Sequence, residues 1–239
     1  MTAESPLVRL AEVPDRGALL FDVDGTLAPI AARPELATVP DTTRAVLRRL
    51  ASRYLLVACV SGRAGEDARR LVGLDGVVYV GNHGLELDPR AEELAATVAR
   101  FREAVGLPVE DKRLSLTYHF REAADEAAAV TRLEQVAERA RVAGLDPRWG
   151  RKVLEIRPAV RADKGTAVHA LLEGSGARRG LYAGDDTTDL DAFAALAAAG
   201  LEHAVRVAVA SEEGPDELRG AADVVVEGPG ELARLLETL

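Results

Sequence analysis

Ala18-Leu19-Leu20-Phe21-Asp22-Val23-Asp24-Gly25-Thr26-Leu27 decides the reading of this chain. An apolar run stops abruptly at two carboxylates one residue apart, and a glycine then lets the chain turn. In an open α/β sheet, ligands sit outside the carboxyl ends of the strands. Two carboxylates held there repel each other unless a cation neutralises them. A carboxylate in such a place can also serve as a nucleophile in phosphoryl transfer. An EF-hand calcium loop needs glycine at its sixth position and glutamate at its twelfth. Counted from Asp22, glycine is fourth and Arg33 twelfth, so that reading fails.

Working outward, the same grammar recurs. The apolar run Leu55–Val60 ends in Ser61-Gly62-Arg63, whose hydroxyl and amides can bind phosphate oxygens near a helix start. Val77–Val80 runs into Gly81-Asn82-His83-Gly84-Leu85-Glu86, and Leu181-Tyr182-Ala183 into Gly184-Asp185-Asp186-Thr187-Thr188-Asp189-Leu190-Asp191. Helix capping accounts for Asp186 or Asp189 but not for four acids within seven residues. If both acidic loops share one sheet edge, they build an oxygen-rich site suited to Mg²⁺. Strands alternating with helices predict parallel βαβ units. Between Pro89 and about residue 160 the rhythm changes: a helix over Ala91–Ala104, an alternating strand over Leu114–Phe120, a long polar helix over Ala123–Ala143, and short strands at Arg148-Trp149 and Lys152–Ile156. That pattern predicts an α+β module inserted in a parallel domain. The boundaries are 1–87 and 161–239 for the core and 88–160 for the insert. Asp41 is expected to cap a helix over Thr42–Ala51, and the first dozen residues read as a weakly ordered lead-in.

Composition narrows the function. A net charge of −9 argues against nucleic-acid and anionic-membrane partners, so an anionic substrate needs a local basic pocket. Of 30 basic residues only Lys112, Lys152 and Lys164 are lysines, which singles out places where a compact point charge suits better than a guanidinium. Lys164 stands at a predicted helix N-terminus, where the dipole disfavours a cation, so a carboxylate or phosphoryl partner is expected nearby. The single cysteine, Cys59, excludes an internal disulfide and reads as an inert core thiol. With no signal-like or membrane-spanning run, the expected compartment is the cytoplasm. No histidine pair has metal spacing, which argues against zinc; His83 and His119 are each as readily ordinary hydrogen-bonded side chains. There is no Walker loop, dinucleotide glycine pattern or persuasive Ser-His-Asp order.

In order along the chain, Asp22-Val23-Asp24-Gly25-Thr26, Ser61, Lys164 and Gly184-Asp185-Asp186 resemble the four signature motifs of haloacid-dehalogenase-superfamily phosphatases. More narrowly, four stretches are similar to trehalose-6-phosphate phosphatases. They are Gly81–Glu86, Glu110-Asp111-Lys112 with Ser115, His119 and Arg121, Gly150–Pro158, and Gly184–Phe193. The resemblance implies a Rossmann-like core with an α/β cap whose closure excludes water, Mg²⁺ as cofactor and a small-molecule sugar phosphate as substrate. It also implies the trehalose-6-phosphate synthase of the same pathway as a candidate partner, and the last step of trehalose biosynthesis as the reaction. It makes Asp22 the nucleophile, Asp24 the acid/base, and Ser61 and Lys164 the groups that offset phosphoryl charge. Asp22, Asp24 and Asp185, with Asp186 or Asp189 in support, would hold the metal. Gly62, Arg63, Asn82, His83, Glu110, Lys112, Arg121, Lys152 and Glu155 would touch the substrate. Rival readings are a phosphatase of sucrose phosphate or of a glycosyl-phosphoglycerate, a non-catalytic sugar-phosphate sensor, and a phospho-accepting receiver; the acid/base candidate Asp24 disfavours the last two.

Overall fold

The computed structural model describes residues 6–31, 33–150, 152–211 and 214–239. They form two compact units, one ending at Gly84 and resuming at Ala162, the other running from Leu85 to Arg161.

In chain order the first unit contains α1 (Val8–Glu12), β1 (Gly17–Phe21), α2 (Asp41–Ala51), β2 (Leu56–Val60), α3 (Gly65–Val72) and β3 (Val78–Val80). A short 3₁₀ segment, Asn82–Leu87, follows β3 and runs across the boundary. The second unit contains α4 (Ala91–Val105), β4 (Glu110–Asp111), β5 (Leu116–His119), α5 (Glu126–Val142), β6 (Leu145–Gly150) and β7 (Val153–Pro158). The first unit then resumes with α6 (Lys164–Ser175), β8 (Arg179–Gly184), α7 (Asp189–Ala198), β9 (His203–Ala210), α8 (Asp216–Ala221), β10 (Val224–Glu227) and α9 (Gly228–Leu236).

The first unit is a six-stranded sheet in the order β10-β9-β8-β1-β2-β3, with every pairing parallel. Its strands read as continuous apolar runs because both faces are covered. Leu19, Phe21, Val57, Cys59 and Leu181 point into one cluster with Leu47 and Leu50 of α2 and Leu232 and Leu236 of α9. Leu20, Ala58, Val60 and Tyr182 point into the other, with Val168 of α6 and Phe193 and Leu196 of α7. Each fully buried Leu or Phe contributes about 1.5–3 kcal/mol. From β1 the chain builds β2 and β3 on one side, then returns to lay β8 on the other. The strand order therefore reverses at β1, which puts the ligand crevice at its carboxyl end.

The second unit is a four-stranded antiparallel sheet, β4-β5-β7-β6. Leu116, Tyr118, Leu154 and Ile156 face Val98 and Phe101 of α4 and Leu133, Val136 and Ala140 of α5. The alternate residues Thr117, His119 and Glu155 lie on the opposite face of the pleat.

Three local expectations change. Val8–Glu12 is helical rather than weakly ordered, because Leu10 is fully buried in the first cluster; residues 1–5 of the expected lead-in lie outside the described residues. Asp41 is the first residue of α2 rather than its cap: Pro40 occupies the cap position, and the Asp41 carboxylate accepts from Arg44 Nη1 at 2.9 Å. α5 starts at Glu126 because Asp125 caps it, accepting from the Ala128 amide at 2.9 Å. β4 and α8, too short to leave a periodic signal, add to the predicted elements. Among the described residues no helix is long and apolar enough to cross a membrane.

Candidate active site

The two central strands end in carboxylates. Asp22 follows β1, its amide donating to the Ala183 carbonyl of β8 at 2.9 Å. Asp185 follows β8 and accepts from Thr26 Oγ1 at 2.9 Å, which ties the two acidic loops together. Gly25 makes this approach possible: its φ is +86°, and a Cβ there would lie 2.0 Å from Asp185 Oδ2. One oxygen each from Asp22, Asp185 and Asp189 lies within 4.8 Å of the others.

Lys164 locks the group. Asp163 makes a capping box with Thr166 at the start of α6, so Lys164 is the first helical residue. It is 3% exposed, and its ammonium donates to Asp189 at 2.7 Å and lies 2.8 Å from Asp22 Oδ1. The unfavourable helix end is therefore occupied for its carboxylate partners, as the sequence suggests. Asp189 is itself saturated: Oδ1 also accepts from Tyr182 Oη at 2.7 Å, and Oδ2 accepts the amides of Asp185 and Asp186, each at 3.0 Å. Asp186 differs from Asp189 in its surroundings. It is exposed, accepts from the amide and hydroxyl of its neighbour Thr187, and does not join the acidic group.

The electrostatics follow from burial. Desolvation, together with the charges of Asp189 and Asp185, raises the Asp22 carboxyl well above the usual range despite the opposing pull of Lys164. Asp185 is pushed up to about 6, first by burial and then by Asp189. For Lys164, burial works against the charged form, but Asp189 and Asp22 outweigh it and keep the ammonium protonated. Carboxyls raised in this way favour the protonated form, and a further positive charge beside them would favour the carboxylates. An all-oxygen donor set of this kind fits a hard divalent cation and not zinc, which favours nitrogen and sulfur.

The remaining core residues sit on adjacent loops. Ser61 is buried after β2, and its hydroxyl accepts from the Arg63 amide at 3.1 Å. Arg63 grips Asp24 with two hydrogen bonds of 2.6 Å and donates to the Pro34 carbonyl at 3.0 Å. Asn82 is buried, and its amide donates to the Arg63 carbonyl at 2.7 Å; the His83 amide donates to the Ser61 carbonyl at 2.9 Å. Both have φ of +51°, a left-handed turn that stitches this loop to the one after β2. A Cβ on Gly62 would stand 2.7 Å from His83 Nε2, so that glycine makes room for the imidazole. Cys59 is buried, and burial raises its thiol out of reactive range.

In the second unit the five proposed sugar-reading residues are not gathered at one point. Glu110 and Glu155 flank Thr117 in adjacent strands. Glu155 accepts from Ser115 Oγ at 3.0 Å, and Glu110 pairs with His119 Nε2 at 2.7 Å. Lys112 lies in the β4–β5 turn, beyond the Leu116 end of β5. Lys152 lies past the other end, where its carbonyl accepts from the Phe120 amide at 3.0 Å and its ammonium pairs with Glu126. Arg121 is exposed beside it, and Arg151 lies outside the described residues. Sequence reasoning missed Tyr182 and Thr26 as partners of the acidic group. Tyr182 carries no sequence signal, since an apolar strand residue and a buried hydrogen-bond donor look alike; Thr26 stood in the quoted motif.

The trehalose-phosphatase family model matches residues 20–224. The chain is 37% identical to a trehalose-phosphate phosphatase of Mycobacterium avium over 205 residues, 75% of this chain and 51% of that protein. It is 37% identical to a probable trehalose-phosphate phosphatase of Oryza sativa over 203 residues, 74% of this chain and 55% of that protein. An uncharacterized glycosyl hydrolase of Mycobacterium tuberculosis is 36% identical over 94% of this chain, which spans 18% of it. The chain therefore spans about half the length, or less, of these curated relatives. Among solved structures, a trehalose-6-phosphate phosphatase related protein has TM-score 0.74 at 24% identity, covering 92% of this chain and 96% of its own. A haloacid dehalogenase-like hydrolase from Bacteroides thetaiotaomicron has TM-score 0.61 at 17% identity, covering 93% and 98%. Likeness at these identities establishes the fold, which is that of the haloacid dehalogenases.

Proposed function

The chain belongs to the trehalose-phosphatase family, and on that premise we propose that it hydrolyses trehalose 6-phosphate to trehalose and phosphate through an aspartyl-phosphate on Asp22. The observation that carries this reading is the buried Lys164 bridge between Asp22 and Asp189 at the carboxyl ends of β1 and β8. The bridge holds one Asp22 oxygen, orients the carboxylate and leaves it a nucleophile. Asp22 attacks phosphorus; the bond from phosphorus to the sugar oxygen breaks as the new one forms. Asp24 gives a proton to the departing sugar oxygen, then takes one from the water that attacks the intermediate. Because Arg63 holds both Asp24 oxygens, one must be released to the leaving group in each cycle. Lys164 and the Ser61 hydroxyl face charge on the transferring group, where positioning and electrostatics dominate the catalysis.

Mg²⁺ would be held by Asp22, Asp185 and the main chain of Asp24, with Asp189 positioning the Asp185 loop. When bound, it supplies charge neutralisation for the phosphoryl oxygens. In the second unit, which we read as the cap, Glu110, Lys112, Arg121, Lys152 and Glu155 supply the mixed donors and acceptors that a polyhydroxylated sugar requires. A cytoplasmic setting suits a buried free thiol, and a synthase of the same pathway is the partner proposed.

Phosphate release from a panel of sugar phosphates, with and without Mg²⁺, tests the reading. Trehalose 6-phosphate should lead the panel and require the metal. Asp22→Asn should cut turnover by at least about a thousandfold with an unchanged fold. Near-normal turnover by that variant would exclude the covalent route, and a preference for sucrose phosphate would move the substrate assignment.

A further inference from the structure

We propose that the Thr117 hydroxyl is a sugar-binding group, making one hydrogen bond, as donor or as acceptor, with a hydroxyl of the bound sugar; the inference rests on the trehalose 6-phosphate reading and extends it to an unassigned residue. Thr117 is in the middle of β5, directly opposite Glu110 on one side and Glu155 on the other. Its chain neighbours Leu116 and Tyr118 enter the helix-packed core, so Thr117 stands on the opposite face with those two carboxylates.

The side chain is 4% exposed, and its Oγ1 is buried with no hydrogen-bond partner. Native proteins rarely leave such a group unsatisfied, because desolvating a hydroxyl without a replacement bond is unfavourable. Neither flanking carboxylate bonds to it; Glu155 accepts from Ser115 and Glu110 pairs with His119. Among the described residues the other buried hydroxyls without partners belong to Tyr54 and Tyr118. Those rings lie in apolar clusters, where burying the aromatic body explains the residue. Thr117 has no comparable body. Valine has the same shape, suits a strand at least as well, and carries no hydroxyl to satisfy. A sugar hydroxyl is both donor and acceptor, as is the threonine hydroxyl, so one bound sugar OH satisfies it.

Steady-state kinetics of Thr117→Val and Thr117→Ser, with melting curves for both, test this. The valine variant should raise the KM for trehalose 6-phosphate about five- to tenfold. Its kcat/KM for trehalose 6-phosphate relative to p-nitrophenyl phosphate should fall by the same factor. Its melting temperature should equal or exceed that of the wild type, and serine should restore the KM to within about twofold. If valine does not fold, Thr117→Ala replaces it with the same expected KM. An unchanged KM in the hydroxyl-free variant, or a serine variant as weak as it, overturns the assignment. A wild-type protein with no preference for trehalose 6-phosphate over p-nitrophenyl phosphate instead overturns the substrate reading, and the role of Thr117 with it.

Discussion

The acidic centre of the parallel sheet and the polar face of the antiparallel sheet carry similar residues, yet they are held in opposite ways. Around Asp22 the buried groups share partners: Asp189 alone accepts four hydrogen bonds, from Lys164, Tyr182 and the amides of Asp185 and Asp186. On the second unit's sheet Glu110 pairs with His119 and Glu155 with Ser115, and Lys152 is tied to Glu126 at a solvent-facing turn. The first arrangement suits chemistry, which needs atoms fixed against the charge that develops. The second suits recognition, where single hydrogen bonds can be exchanged for those of a ligand at little net change.

Breaking the convergent side gives the largest effect. Asp189→Asn keeps the volume but removes the second carboxylate of a buried lysine, which costs about 3–5 kcal/mol. A melting temperature lower by on the order of 10 °C should accompany near-complete loss of turnover. A variant as stable as the wild type would mean that the convergence around Asp189 is dispensable.

Metal and pH sharpen the same side. The folded carboxyl of Asp185 titrates at about 6, above its value of 3.8 in an unfolded chain, and Asp22 is raised in the same sense. Between those pH values the folded state binds more protons than the unfolded one. The stability contributed by Asp185 is thus present below about pH 4 and is lost as pH rises through about 6, and Asp22 contributes in the same direction. A divalent cation bound by these carboxylates would restore it at neutral pH. Saturating Mg²⁺, at about a hundredfold over its Kd, should raise the melting temperature by about 5–10 °C at pH 7.5 and by clearly less at pH 5. Equal gains at both values would show that the cation binds elsewhere.

The loosely held side should respond in smaller steps. Glu155→Gln should lower kcat/KM for trehalose 6-phosphate about tenfold relative to p-nitrophenyl phosphate, the scale of one charged hydrogen bond. Lys152→Ala should shift that ratio in the same direction by only about two- to threefold and change stability by less than about 1 kcal/mol. Equal losses on both substrates, measured side by side, would argue against a sugar-reading face.

The parallel core was legible because its signals are local. Leu19, Phe21, Val57 and Leu181 belong to runs buried on both faces, and each run ends in a polar loop at the same sheet edge. The Asp22 and Asp185 loops could be named for the same reason: an apolar strand that stops in acids is visible within ten residues. Less was legible where a side chain's task depends on a distant partner. Asp186 and Asp189 look interchangeable as neighbours of Asp185, and only the turn into α7 buries one and exposes the other. Lys112 and Lys152 look alike as rare lysines, yet β5 separates their turns.

The sequence by itself therefore determined the fold class, the two acidic loops, the lysine that must meet them and the presence of an inserted sheet. Hydrophobic period, capping and charge placement act over a few residues and can be read in order. Only the tertiary structure decided that Asp189 shares Lys164 with Asp22, that Thr26 reaches Asp185 across 159 positions, and that the hydroxyl of Thr117 is buried without a partner. Those facts depend on strand register and on which loops meet at the sheet edge, and both are set by packing the whole chain at once.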